Sequence, residues 1–149
     1  MKPPLENIRV SQRSREILIA LKRKTGIANW NILCRWAFCD SLANPNRPVT
    51  AIASAESNIE MAWETFAGNL SDYLLAALAT RAAKDGARAT RTEMAVYFRS
   101  HLERGICQFG LKSQPALDAV IVVHRFGGYF STANQTTPDV VMEKYEQVI

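Results

Sequence analysis

Along "LENIRVS", residues 5–11, apolar and polar positions alternate, with Ile8 and Val10 on one side and Asn7, Arg9 and Ser11 on the other. That period of two predicts a short strand with one apolar and one polar face. The period then changes. Ile17, Leu18 and Leu21 recur at helical spacing and predict a first helix from about Gln12 to Thr25. Ser11 stands where its hydroxyl can accept a backbone N–H of the first turn. Gly26 stands where a helix C-terminus takes a left-handed residue. The second helix, roughly residues 30–43 with Asn29 or Asn31 as cap, is apolar nearly all round. Ile32, Leu33, Cys34, Trp36, Ala37, Phe38, Cys39 and Leu42 leave little more than Arg35 and Asp40 as charges. A helix of this kind is buried on several sides, and a chain this small predicts a partner subunit for part of that cover. "NPNRP", residues 44–48, is a loop that ends the unit.

Further on, the pattern is less uniform. Residues 49–70 fit either a helix followed by a turn or an extended segment crossing the core. Ser71 and Asp72 open a clearer helix with Tyr73, Leu74, Leu75 and Leu78 on its apolar side, closed by Gly86 in "KDG". "TRTE", residues 90–93, is a capping box. It opens a helix containing Met94, Val96, Tyr97, Phe98 and Leu102, which Gly105 is expected to end. "ALDAVIVVH" fits a buried strand or a buried helix, and "FGGY" reads as a turn. "TPDVVMEKYEQVI" predicts a last helix with Thr137 as cap and Pro138 in its first turn.

Composition sets the bounds. The chain has 149 residues, 48% of them hydrophobic and 21% charged, which suits one compact domain with a core. No apolar run approaches the roughly 20 residues of a bilayer span, and "MKPPLENIRV" lacks the apolar stretch of a signal peptide. A cytoplasmic location is expected. Cys34, Cys39 and Cys107 make an odd count without CxxC spacing, and His101 and His124 are the only histidines. Neither a disulfide framework nor a structural zinc site is expected.

Charge changes the picture more. Residues 1–50 hold nine Lys/Arg and three Asp/Glu, residues 51–80 four acids and no Lys/Arg, and residues 81–112 seven bases and three acids. That segregation predicts a polarised surface with one face suited to a polyanion. The densest cluster, Lys22, Arg23 and Lys24, also complements the negative end of the first helix. Arg15 and Lys22 are seven apart and share a face, with Arg23 beside it.

No catalytic motif accompanies this charge: there is no GxxxxGK[ST], GxGxxG or GxSxG sequence. The three thiols sit among apolar residues and read as inert core cysteines. His101 reads as a helix-surface or satisfied core residue. Glu56 and Glu60 read as a solvated acidic face rather than an acid/base pair. No cofactor, metal or enzymatic activity is expected. What remains is a short strand followed by two helices, the ribbon-helix-helix plan, in which two chains pair their strands and a polar face can enter the DNA major groove. Asn7, Arg9 and Ser11 would form that face. Phosphate contacts would fall to basic side chains and to the N-terminus of the second helix.

"LKRKTGIANWNILCRWAFCDSL", followed by "AALATRAAKDG" and "FRSHLERGI", resembles the DNA sulfur-modification family DndE over roughly residues 8–107. Order and spacing of these blocks carry the resemblance. It implies a small, largely helical protein related to ribbon-helix-helix proteins. It also implies a place in bacterial systems that replace a non-bridging phosphate oxygen of DNA with sulfur. The family pattern further implies no catalytic activity of the protein's own, a tetramer, and affinity for duplex DNA, nicked duplex included. The matching positions are Lys22, Arg23, Lys24, the turn residue Gly26, and Arg35. Charge and face add Arg9, Arg13 and Arg15.

The expectation is a mainly α protein with a ribbon-helix-helix-like N-terminal unit in a small helical domain, oligomeric. Residues 1–110 form the DndE-like DNA-binding domain and residues 111–149 a C-terminal extension packed on it. The expected function is a non-catalytic DNA-binding subunit of the phosphorothioation system, with DNA, other phosphorothioation proteins and further copies of itself as partners. The alternatives are a ribbon-helix-helix repressor reading sequence through Asn7, Arg9 and Ser11, and a scaffold bridging protein partners.

Overall fold

A computed structural model describes residues 2–50, 55–112 and 114–132. The alternating N-terminal segment forms β1 (Asn7–Ser11), and Ile8 and Val10 are buried as the pattern requires. Its ladder partner is β2 (Glu56–Ala62) of the same chain. The pair is antiparallel, with Ile8 opposite Met61 and Arg9 opposite Glu60. The middle segment is therefore extended first, and its buried positions Ser57, Ile59 and Met61 alternate like those of β1. It becomes helical only at α3 (Trp63–Ala67), which a single 3-10 turn (Gly68–Leu70) joins to α4 (Ser71–Lys84).

One polar position of β1 departs from expectation. The register shifts between Arg9 and Ser11, and such an irregularity re-aims the side chains beyond it. Ser11 is buried instead of sharing the outer face with Asn7 and Arg9. Its N–H and hydroxyl donate to the Glu103 carboxylate at 2.9 and 2.7 Å, while its hydroxyl oxygen accepts the Ser14 N–H at 3.1 Å. The expected cap is present, and it locks α1 (Gln12–Thr25) to the fifth helix.

Gly26 ends α1 in the left-handed region, φ 69°, with its N–H on the Lys22 carbonyl at 2.9 Å. α2 (Trp30–Ala43) follows after four residues and buries Leu33, Cys34, Ala37, Phe38 and Ser41. Phe38 meets Phe66 and Phe98, and Trp63 joins the same aromatic cluster through those two rings, with Phe38 and Phe98 centroids 4.9 Å apart.

α5 (Arg91–Gly110) runs straight through Gly105, which was expected to stop it. Gly105 serves close packing. A Cβ there would lie 2.0 Å from the Ala37 carbonyl oxygen, so only glycine lets α5 and α2 approach this closely. α6 (Gln114–Thr132) then resolves "ALDAVIVVH" as helix, and its backbone continues through "FGGY", where a turn was expected. Leu117 of α6 is fully buried in the same core as the other helices. The helix expected after Thr137 lies outside the described residues. Among the described residues no helix is long and apolar enough to cross a membrane.

Candidate nucleic-acid interface

α1 buries Ser14, Leu18, Leu21 and Thr25, which fixes its inner face. At 3.6 residues per turn, Arg23 lies opposite that face. Arg15 and Lys22 occupy one shoulder, Arg13 and Lys24 the other. The five cations therefore surround the outward side of α1 rather than forming one narrow stripe. Arg13 and Lys24 flank a groove floored by Ile17 and Ala20 against the end of α5.

The turn that follows is built to hold its place. Thr25 Oγ1 donates to the Leu21 carbonyl at 2.7 Å and accepts the Ile27 N–H at 3.2 Å. The Lys22 ammonium lies 4.0 Å from the centroid of the half-buried Trp30 ring, a cation–π contact that ties the end of α1 to the start of α2. Asn29 makes no side-chain cap bond to α2.

Electrostatic compensation separates the candidate residues. Among the described residues, Arg13, Arg15, Lys22, Arg23 and Lys24 form no ion pair. The single acid of α1, Glu16, faces Gln12. Arg9 is set apart from this group. It reaches Glu56 at 2.8 Å and Glu60 at 2.7 Å, so β1 and β2 present two carboxylates around one guanidinium. Those bonds, Glu60 first and then Glu56, raise the pKa of Arg9. The two acids read as a solvated face are thus the partners of Arg9. Arg35 is half-buried and distinct again. Its Nη1 lies 3.5 Å from the Ala67 carbonyl and packs against Gly68.

Sequence reasoning missed a second basic cluster, in the interior. Arg81 donates to the Leu42 carbonyl at 3.4 Å, the Pro45 carbonyl at 2.6 Å and the Asp85 carboxylate at 3.1 Å. Arg104 donates to the Ser41 hydroxyl at 2.8 Å and to the Ser41 and Asn46 carbonyls at 2.6 Å each. α2 has no basic residue in its own last turn, so these two arginines satisfy its C-terminal carbonyls from α4 and α5. Tyr97 donates to Asp85. Burial and the Asp85 charge push the Tyr97 hydroxyl up to about 12.

His101 is fully buried beside this cluster. Its Nδ1 lies 3.0 Å from the Ser41 hydroxyl, and its Nε2 has no hydrogen-bond partner among the described residues. Burial, then the Arg104 and Arg81 charges, push its pKa down to about 4. Burial, followed by the Glu103 charge, pushes the Cys34 thiol up to about 12 and keeps it protonated. Cys39 departs from the core expectation, since it is exposed on the outer side of α2.

Fold and charge together define a small, mainly helical domain that displays an uncompensated cationic helix beside a tight glycine turn. The family described as DNA sulphur modification protein DndE matches residues 7–117, and the chain belongs to it. Membership ties the protein to DNA sulphur modification, within a phosphorothioation system that contains other Dnd proteins. No curated protein matches the sequence.

Proposed function

We propose that the protein is a non-catalytic DNA-binding subunit of the phosphorothioation machinery, contacting the phosphates of intact or nicked duplex through α1. The observation that carries this reading is the lack of carboxylate partners around five cations of one helix, in a protein whose Arg9, Arg81, Arg88, Arg91 and Lys112 are all ion-paired. Unneutralised Lys and Arg on an exposed helix attract phosphate and release its counterions. Lys22, Arg23 and Lys24 supply the charge, and Gly26 sets the turn that brings the N-terminus of α2 alongside them. Arg13 and Arg15 widen the same surface.

Sequence readout by the β1 ribbon has weaker support. Ser11 is buried and Arg9 is engaged by two glutamates, so a base edge would compete for one of the three proposed contacts and lack another. A homo-oligomer is supported by the outer side of α2. Ile32, Trp36, Cys39 and Ala43 recur there at helical spacing, each exposed or half-buried. That stripe suits a second copy of the chain, and it is also the feature that favours a scaffold role.

Fluorescence-anisotropy titration against intact and nicked duplex at two salt concentrations tests the reading. Wild type should bind with strong salt dependence and little sequence preference. K22E/R23E/K24E should bind at least tenfold more weakly at low salt, with a slope of log affinity against log salt lowered by about 2–3. Equal affinity of the triple variant and wild type would remove α1 as the DNA surface.

A further inference from the structure

A cleft of about 350 Å³ opens between the loop after α2, the α4–α5 turn and the first turns of α5. Its volume falls at the lower end of the range for small-molecule sites, roughly 300–1,000 Å³. No residue of α1 lines it. Arg47 and Arg88 both line it. Among the described residues, Arg47 donates from Nη1 to the Asp85 carbonyl at 3.2 Å, and a guanidinium has further N–H donors to offer. Arg88 is 82% exposed, and its nearest carboxylate oxygen, on Glu93, lies 3.8 Å away, beyond hydrogen-bond reach. The charge of Asp85 is already engaged by Arg81 and Tyr97. Glu93 is therefore the carboxylate an incoming anion would meet, and it is 45% exposed.

The remaining lining is mixed. Thr50 and Thr92 contribute hydroxyls, while Pro48 and Val96 form an apolar wall. Val96 is 41% exposed, an open apolar surface beside the two arginines. A bare anion would use only the guanidiniums. The wall suits an anion joined to a flat or apolar body, and arginine forks match phosphate oxygens in pairs.

We propose that this cleft binds a nucleotide-class phosphate ester, with the phosphate on Arg47 and Arg88 and the base or sugar against Pro48 and Val96. The ligand is either a free mononucleotide or the terminal nucleotide of a DNA strand. The site is separate from α1, so its success or failure is read independently of the duplex-binding surface.

The test is amide-resolved NMR titration of the full chain with deoxyadenosine monophosphate, deoxyadenosine and inorganic phosphate. The monophosphate should shift Gly86, Ala87 and Thr92, and deoxyadenosine should bind at least tenfold more weakly. Arg88→Gln, an exposed change that leaves the fold intact, should weaken the monophosphate at least fivefold, and R47Q/R88Q should weaken it further. K22E/R23E/K24E should leave these shifts unchanged. A 5′-phosphorylated oligonucleotide that moves the same amides at lower concentration than the monophosphate assigns the ligand as a strand end. Equal or weaker response assigns the free nucleotide. The proposal is overturned if the cleft amides do not move at millimolar ligand, if inorganic phosphate binds as tightly as the monophosphate, or if Arg88→Gln changes nothing.

Discussion

The first helix and the α4–α5 pair are both rich in positive charge, but two arginines of the pair, Arg81 and Arg104, turn inward where the cations of α1 do not. Residues 81–112 hold seven Lys/Arg against three acids, close to the balance of the first fifty residues. Yet Arg81 and Arg104 spend their donors on the carbonyls of Ser41, Leu42, Pro45 and Asn46, and Arg81 is 8% exposed. On α1 the cations surround the outward side and, among the described residues, form no ion pair. A segment's net charge therefore does not tell how much charge a partner can meet; the local acceptors decide that.

The comparison can be broken most forcefully at Arg81. Arg81→Ala leaves Asp85 without its ion-pair partner and the Leu42 and Pro45 carbonyls without the Arg81 donors. A loss of about 3–5 kcal/mol is expected by urea unfolding, while the protein that remains folded keeps its DNA affinity. A parallel fall in affinity would mean that the interior arginines also serve DNA.

Acid should strain the same interior region next. The His101 pKa is about 4 in the fold, against about 6.5 when unfolded. Between those values the unfolded chain takes up a proton that the native protein refuses. Stability should therefore fall as pH drops from about 6.5 toward 4, by at most about 1.4 kcal/mol per pH unit, and level off below. Urea midpoints across that window check it, and His101→Gln should flatten the profile. The α1 triple reversal should show no such penalty, since exposed changes usually move stability by about 0.5 kcal/mol or less.

The smallest effect is expected at Arg9. Arg9→Ala removes an exposed bridge to Glu56 and Glu60, a kind of contact that solvent screens and that stabilises little. Duplex affinity should stay within about twofold of wild type if the ribbon lies outside the interface. A tenfold loss in the same anisotropy titration would return β1 to the binding surface and revive the repressor reading.

How much of this was legible in the sequence follows from the range of the signals. The β1–α1–α2 unit was readable because its instructions are local: alternation at Ile8 and Val10, the Ser11 cap, and Gly26 at the turn. The pairing of β1 with β2 was not, because Arg9 and Glu60 meet across 51 positions. Glycine misled in two places for one reason. Gly105 and the "FGGY" pair look like stops, but the helices continue through both, and Gly105 is there for the Ala37 carbonyl. Of the candidate site, Lys22, Arg23 and Lys24 were visible as a run. The pairing of Arg9 with Glu56 and Glu60, the burial of Ser11 and the inward turn of Arg81 and Arg104 depend on partners far along the chain, which periodicity does not encode.

Gly105 has a consequence for measurement across the molecule. α2 is 14 residues long, about 20 Å from end to end. The Lys22–Trp30 contact marks one end, and the loop bearing Arg47 leaves the other. Because α5 meets α2 backbone to backbone at Ala37, and two arginines grip the far end, the span between those ends behaves like a caliper with its jaws locked. Anything held at both jaws at once is measured against a fixed gauge.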